Sequence, residues 1–198
     1  MLVLMSQTKH SYLENFGIFD YLLSILRFRK ASKYIWKGAT LLYVGCGFNG
    51  YLLQYFLKNL KYGVGIDISV NKEGNRDKVK LINCNLDAEK FPDLPPFDIV
   101  TCLAVVEHVV NPKNLIKNIY NSLKNNGLLI LTAPSWKSKP LMEFCAFKLK
   151  VIDQASIAEH KRYFNREEII SLCSEARFSD IQHTYFQSGL NNLIVAKK

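Results

Sequence analysis

The glycine-rich segment Gly45–Gly50 constrains this chain more than any other feature of its sequence. It follows Leu41–Val44, a compact apolar run that predicts a buried strand, and it precedes the helical pattern of Tyr51–Leu60. Glycines let a ligand approach the backbone closely, and the start of the following helix offers free N–H groups. Asp67 ends the next predicted strand, where a carboxylate accepts hydrogen bonds from ribose hydroxyls. Strand, turn, helix, strand and acid in this order predict a nucleotide-cofactor site.

Short apolar runs alternate with helical patterns along the rest of the chain. Helices are predicted over Gly17–Trp36, over Asn114–Leu123 and after a capping box that begins at Asn165. The further predicted strands are Gly63–Ile68, Val79–Asn83, Phe97–Leu103, Leu128–Thr132, Ile181–Gln187 and Leu193–Ala196, the last two as an antiparallel hairpin. Apolar strands separated by helices indicate an α/β fold with a mostly parallel sheet covered on both faces.

Composition excludes several classes of protein. A chain of 198 residues with 48% hydrophobic content suits one soluble domain, and no apolar run is long enough to span a bilayer. Met1–Met5 is too short for a secretory signal, so we expect a cytoplasmic protein. The five cysteines are scattered and form no C-x-x-C pair, which favours reduced thiols over disulfides or a zinc site.

A net charge of +9 raises the question of an anionic partner. The excess lies mainly in the N-terminal third, with Arg27, Arg29, Lys30 and Lys33 close together. These cations could bind phosphate from RNA, a lipid head group or a sugar phosphate. They could equally complement the dipole at the end of the first predicted helix.

Taken literally, Gly45–Gly50 is the G-x-G-x-x-G pattern of NAD-binding proteins, which makes a dehydrogenase a competing interpretation. Two observations count against it. Only about sixty residues remain after the fifth strand for a substrate domain, and no Lys, Tyr and Ser set suited to hydride chemistry is evident.

Five segments in order resemble the successive motifs of class I S-adenosylmethionine-dependent methyltransferases, in particular the bacterial small-molecule group with an E-H-V motif after strand four. The segments are LLYVGCGFNG (41–50), GVGIDIS (63–69), DAEKFP (87–92), FDIVTCLAVVEHV (97–109) and LKNNGLLILTAP (123–134). The resemblance implies a Rossmann-like, doubly wound sheet of seven strands with a reversed last strand. It also implies S-adenosylmethionine as cofactor and S-adenosylhomocysteine as product.

The resemblance also implies roles for individual residues. The turn Gly45-Cys46-Gly47 would lie under the methionine moiety, Asp67 would hold the ribose and Ile68 would pack on the adenine. Asp87 would accept a hydrogen bond from the exocyclic amine of the adenine, and the Ala88 amide would meet the ring. Leu103 would lie beside the sulfonium.

Two positions depart from the family pattern. Tyr43 stands where an acid usually helps to hold the charged amino-acid end of the cofactor, so cofactor affinity is in question. Asn49 stands where glycine is common, in a turn that is one residue longer. Related quinone O-methyltransferases carry E-x-x-E-H after strand four to hold a metal, but Ala104 replaces the first acid here, so we expect no metal.

Methyl transfer to oxygen requires removal of a proton, for which histidine is suited. His108 lies in the E-H-V motif and is either a base near the acceptor or part of the turn. His160 precedes Arg162, Tyr163 and Phe164 in a segment like the family's H-x-R-[FY]-F and either lines the acceptor pocket or anchors a lid. His10 and His183 have no such context.

The predicted organisation is a single domain. It comprises an N-terminal helical segment (1–37), a cofactor-binding core (38–133), a lid (134–164) and a C-terminal helix with two strands (165–198). In the lid, Lys148 and Lys150 leave room for an anionic acceptor.

We expect a methyltransferase acting on a small-molecule, glycan or lipid-linked acceptor, with peripheral membrane contact open. RNA is disfavoured as the acceptor, because neither an N-P-P-Y motif nor a P-C nucleophile is present. The alternatives are an RNA methyltransferase, an NAD-dependent dehydrogenase and a non-catalytic binding protein of the same fold.

Overall fold

The computed structural model of the chain describes residues 18–71, 78–140 and 162–198. Four helices and seven strands occur in these ranges. They are α1 (Ile18–Ala31), β1 (Thr40–Val44), α2 (Tyr51–Phe56), β2 (Tyr62–Asp67), β3 (Val79–Asn83), β4 (Phe97–Leu103), α3 (Pro112–Ser122), β5 (Leu123–Pro134), α4 (Arg166–Glu175), β6 (Ser179–Phe186) and β7 (Asn191–Lys197). Two 3-10 turns, Ser32–Tyr34 and Trp136–Ser138, follow α1 and β5.

The strands form one seven-stranded sheet in the order β3-β2-β1-β4-β5-β7-β6. The first five strands are parallel, whereas β7 runs antiparallel to both β5 and β6. The order reverses between β1 and β4, which are neighbours in the sheet, so the topological switch point is at the carboxyl ends of these two strands. This confirms the predicted Rossmann-like sheet with a reversed last strand.

Helices cover both faces of the sheet. On one face, the apolar side chains of α3 and α4, among them Ile116 and Leu172, pack on β4 and β5. On the other face, Ala31 of α1 and Leu53 and Phe56 of α2 belong to a second buried cluster, which includes Leu41 of β1 and Ile99 of β4. Strands buried on both faces explain why β1 and β4 are apolar along nearly their whole length.

Most predicted boundaries agree with the structure to within a few residues. The largest differences are at the end of α1, which is Ala31 rather than Trp36, at the end of α2, which is Phe56 rather than Leu60, and at the start of β5. The helix predicted to reach Leu123 ends at Ser122, and the fifth strand starts at Leu123 rather than at Leu128. Asn126 has a φ of 62°, and the register between β4 and β5 shifts near this point. The Asn-Asn-Gly turn signal therefore marks an irregular strand start and not a separate loop.

The N-terminus of α4 is built as the sequence predicts. The Asn165 side chain accepts a hydrogen bond from the Glu168 amide, and the Glu168 carboxylate accepts one from the Asn165 amide. This reciprocal capping box fixes where the helix begins. The four cysteines of the described ranges are all buried and reduced, and no described helix is long and apolar enough to cross a membrane.

Two asparagines on α3 tie the segment after β3 to the helix. Asn114 Nδ2 donates to the Ala88 carbonyl at 2.8 Å, and Asn118 Nδ2 donates to the Glu89 carbonyl at 3.2 Å. Asn118 is buried, and its Nδ2 donates to the Glu89 carbonyl and, at 3.4 Å, to the Ala88 carbonyl that Asn114 also binds.

We predict that Asn118→Ala lowers the free energy of unfolding by about 1 kcal/mol, because the hydrogen bonds of its amide group to the segment after β3 are lost. Asn121→Ala is the matched control, since Asn121 lies on the same helix and is exposed. Its effect should stay within about 0.5 kcal/mol. Urea unfolding of both variants measures the difference, and equal midpoints would contradict the assigned role.

Candidate active site

The glycine turn after β1 is fixed to the end of β2 by backbone hydrogen bonds. The Gly45 and Cys46 amides both donate to the Ile66 carbonyl, at 2.9 and 3.2 Å. The Gly47 amide donates to Asp67 Oδ2 at 2.8 Å, and the Ser69 amide donates to Oδ1 at 3.2 Å. The carboxylate therefore lies directly beside the turn, as the sequence order predicts.

The three glycines of the turn all have positive φ, but they serve different purposes. A Cβ on Gly45 would lie 2.1 Å from Cγ2 of Val105, and one on Gly50 would lie 2.7 Å from Cδ2 of Leu81. A Cβ on Gly47 would meet nothing within 4 Å. Gly45 is thus required by packing against Val105, Gly50 lies close to the flexible end of the Leu81 side chain, and Gly47 leaves open space over the backbone.

Cys46 lies between the two glycines but faces the core. Its sulfur would be 2.7 Å from a Cβ on Gly65, and burial raises the pKa of the thiol to about 12, with the charge of Asp67 adding to the effect. The thiol is therefore neutral and inward, and the part of Cys46 that a cofactor could contact is its backbone.

The exposed side of the turn carries apolar side chains. Ile68, which follows Asp67, is 69% exposed, and Phe48 is 57% exposed. Leu103, at the end of β4, is 5% exposed and packs with the core. The structure therefore brings Gly47, Asp67 and Ile68 to one accessible edge and places Leu103 beneath it.

Asp87 and Ala88 follow β3 and are already engaged with neighbouring backbone. Asp87 Oδ1 accepts from the amides of Val110 and Asn111 at 2.7 and 3.2 Å. The Ala88 amide donates to the Asn85 carbonyl at 3.0 Å. Asp87 thus holds the loop after β4, a role beyond the adenine contact implied by the resemblance.

The loop after β4 is held from a second side by Arg162. Its two terminal nitrogens donate to the carbonyls of Val109 and Val110 at 2.8 and 3.1 Å. The arginine of the H-x-R-[FY]-F-like segment therefore anchors the E-H-V loop. His160, which the same segment predicts for the acceptor pocket, lies outside the described residues.

Ala104 begins this loop with a φ of 56°, a conformation that is costly for a residue other than glycine. Its amide donates to the Thr132 carbonyl of β5 at 3.0 Å. His108 is partly buried in the same loop, and its amide donates to the Val105 carbonyl at 2.9 Å. Within the described ranges, no group of histidine, cysteine and acidic side chains is arranged to hold a metal ion.

Glu107 is the buried acid of the site. It is 1% exposed, and its Oε2 has no hydrogen-bond partner among the described residues. Burial raises the pKa of Glu107 to about 7, against opposing effects from its own backbone N–H and from the positive charge of Arg27. Arg27 in turn has a buried Nε that lacks a described partner.

Sequence reasoning missed Arg27 and the two asparagines of α3 as parts of this edge. Asn114 and Asn118 are four residues apart, on or beside a helix face that is otherwise apolar. Polar residues at this spacing lie on the same side of a helix, so they indicate a shared hydrogen-bond partner. Nothing local distinguishes Arg27 from its neighbouring cations. His183, assigned no role, bonds Asn192 at 2.8 Å and stacks edge-on against Tyr185.

Comparison with known proteins agrees with this geometry. A family model described as a methyltransferase domain matches residues 19–183, which is most of the chain. The chain belongs to the methyltransferase-domain family. This confirms the resemblance to class I S-adenosylmethionine-dependent methyltransferases, and it disfavours the dehydrogenase interpretation of the glycine turn.

Individual relatives of this methyltransferase domain are distant. A ubiquinone biosynthesis O-methyltransferase of Glaesserella parasuis is 30% identical over 99 residues, 48% of this chain and 39% of that protein. One of Coxiella burnetii is 31% identical over 103 residues, 48% and 44% of the two chains. The chain therefore spans less than half the length of these relatives.

A solved structure shares the fold over nearly the whole domain. A methyltransferase of Archaeoglobus fulgidus superposes with a TM-score of 0.66 at 16% identity, covering 89% of this chain and 93% of that one.

We predict a sharp contrast between two glycine substitutions in this methyltransferase domain. Gly45→Ala should destabilise the fold by several kcal/mol, because its methyl group would overlap Val105 and its backbone would be strained. Gly47→Ala should cost about 1–2 kcal/mol, from the positive φ alone. Chemical unfolding measures both, and equal losses would show that the overlap is relieved by movement of the loop.

We predict that Glu107 makes stability fall as pH rises from about 4.5 to about 7. In this window the unfolded state has lost the proton that the folded state keeps, so folding binds a proton and weakens with rising pH. Glu107→Gln should remove this part of the pH dependence. The exposed Glu89→Gln is the control, and an unchanged slope in Glu107→Gln would refute the assignment.

Proposed function

We propose that this chain transfers a methyl group from S-adenosylmethionine to a small-molecule acceptor by in-line displacement. The observation that carries the proposal is the Asp67 carboxylate at the end of β2, bonded to the Gly47 amide of the glycine turn at 2.8 Å. A carboxylate and a glycine turn at the switch point of a parallel sheet are suited to a ribose and the group attached to it.

The residues of this edge fit a nucleoside cofactor. Gly47 has open space where a side chain would stand, and Asp67 supplies two acceptor oxygens beside it. Ile68 offers an apolar surface, 69% exposed, on which an adenine would pack. Gly45, Cys46 and Gly47 would hold the methionine part through their backbone, with Asp87, Ala88 and Leu103 completing the site.

The charged end of the cofactor requires another partner, because Tyr43 is a buried residue in the position of the usual acid. Arg27 is near enough for its positive charge to lower the pKa of Glu107, against the larger raising effect of burial. Each has a buried polar atom without a partner in the described structure. We assign to this pair the carboxylate and the ammonium of the methionine moiety.

When bound, S-adenosylmethionine supplies a methyl group on a positively charged sulfur, which is already activated for attack. The chain then has to orient the acceptor, exclude water and remove a proton if the nucleophile is a hydroxyl. His108, held in the loop that Asp87 and Arg162 anchor, is the proposed base. His160 is a second proposed contact with the acceptor.

The relatives indicate the chemical class of the acceptor. The matched curated enzymes are named for O-methylation in ubiquinone biosynthesis, which favours an oxygen nucleophile on a small molecule. The chain covers less than half of those relatives, so their substrates do not decide the acceptor of this chain. Glycan and lipid-linked acceptors therefore stay within the proposal.

Calorimetric titration with S-adenosylmethionine, S-adenosylhomocysteine and NAD tests the proposal. We expect both sulfur compounds to bind and NAD not to bind. Asp67→Ala should weaken cofactor binding by about 100-fold or more, through loss of charge-assisted hydrogen bonds. Because Asp67 also holds the Gly47 amide, Asp67→Asn is the better variant, since it keeps one acceptor oxygen for the turn.

Two controls separate cofactor binding from other effects. Asp93→Ala removes an exposed acid outside the site and should leave the affinity unchanged. His108→Gln should also keep the affinity, because its proposed role concerns the acceptor. If neither sulfur compound binds at millimolar concentration, the proposed activity is wrong.

A further inference from the structure

Helix α1 and the 3-10 turn that follows it expose an apolar and basic stripe, formed by Leu22, Leu26 and Arg29 of the helix and Lys33 of the turn. The three helical residues are spaced four and three positions apart, so they lie on one side of the helix. All four are exposed, Leu22 at 51% and Leu26 at 43%. Two neighbouring leucines that are half exposed on a helix are not explained by packing against the described residues.

The opposite side of α1 is occupied by the sheet. Ser24 and Ala31 are buried, and Phe28 packs on the core of this face. The helix is therefore held in one orientation, and the α1 stripe points away from the domain. Its two leucines are available to an external partner.

The charge around the α1 stripe is of one sign. The chain contains no acidic residue between Leu22 and Ile66, although it has seven cations there. Arg29 and Lys30 complement the dipole of α1, because they lie in its last turn. Lys33 and Lys37 lie beyond the helix, so its dipole does not explain them. Trp36, close to them in the sequence, is 48% exposed.

The leucine end of the stripe lies at the carboxyl edge of the sheet, where the active site is. Gln187, in the turn between β6 and β7, donates to the Leu23 carbonyl at 3.4 Å. This turn adjoins the end of β5, because Asn191 pairs with Pro134. A surface that binds Leu22 and Leu26 would therefore lie beside the same edge as Asp67.

A second exposed cluster occurs at this edge. Trp136, just after β5, is 55% exposed, and Tyr185, near the end of β6, is 40% exposed. The Lys137 ammonium lies 5.9 Å from the Trp136 ring and 5.8 Å from the Tyr185 ring. Tryptophan and tyrosine beside lysine are the residues that proteins place at the level of lipid head groups.

We propose that the α1 stripe binds an anionic membrane surface. Leu22 and Leu26 enter the boundary between head groups and acyl chains, and Arg29 and Lys33 bind lipid phosphates. The complementarity of charge and the exposed leucines together select this partner. A nucleic acid would engage the cations but would gain nothing from the leucines.

Sedimentation with lipid vesicles tests the proposal on the whole chain. Vesicles of phosphatidylcholine that contain phosphatidylglycerol should bind the protein, and pure phosphatidylcholine should bind it weakly. Arg29→Ala with Lys33→Ala should reduce binding about 30-fold, by loss of two charges. Leu22→Ser with Leu26→Ser should reduce it about tenfold or more at unchanged charge.

Matched controls lie away from the α1 stripe. Lys113→Ala with Lys117→Ala removes two exposed cations of α3, which covers the opposite face of the sheet, and Tyr55→Ser removes a side chain of α2 that is 62% exposed. Both should leave vesicle binding unchanged. Titration with S-adenosylhomocysteine, which should bind equally to all variants, separates this proposal from the proposed activity.

Several outcomes would overturn the proposal. One is failure of the unaltered chain to bind anionic vesicles. Another is an equal loss of binding in the Lys113 and Lys117 control, which would indicate a general effect of charge. Binding to RNA that persists in the leucine variant, without vesicle binding, would assign the cations to nucleic acid. A dimer that the leucine variant dissociates, again without vesicle binding, would assign the leucines to a second copy.

Discussion

The packing of the glycine turn against the end of β2 is the constraint on which this site depends. The Ile66 carbonyl receives two amides of the turn, and the Asp67 carboxylate receives a third. On its other side the turn meets Val105, so closely that Gly45 has no room for a side chain. The turn, the end of β2 and the loop after β4 therefore form one packed unit, and a change in any of them moves the others.

A second layer of interactions fixes the loop after β4 from outside this unit. Asp87 accepts two amides of the loop, and Arg162 donates to two of its carbonyls. Asn118 ties the segment that carries Asp87 to α3. Because these contacts are made by groups from three separate parts of the chain, the loop has a defined shape although it lacks regular structure. Asp87, which the family resemblance relates to the cofactor, thus also fixes the loop after β4.

One acidic side chain of the site, Glu107, is buried. Glu107 lies in the interior beside strand β4, where burial raises its pKa to about 7. A buried carboxyl group is costly unless it is neutral or paired, and the positive charge of Arg27, on α1, lowers the pKa of Glu107 against the effect of burial. A link between these two residues would connect α1, whose outer side carries the exposed leucines, with the loop that carries His108.

The sequence alone determined the order of elements, the glycine turn, Asp67 and the family, because apolar periodicity, glycine spacing and strand-end acids are local signals. The boundary between α3 and β5 was displaced, since strand pairing with β4 overrides the turn signal at Asn126. Only the tertiary structure decided that Asp87 bonds a loop 23 residues away, that Glu107 is buried, and that α1 leaves its leucines uncovered. These properties depend on what other parts of the chain place against a residue, and no local pattern records that.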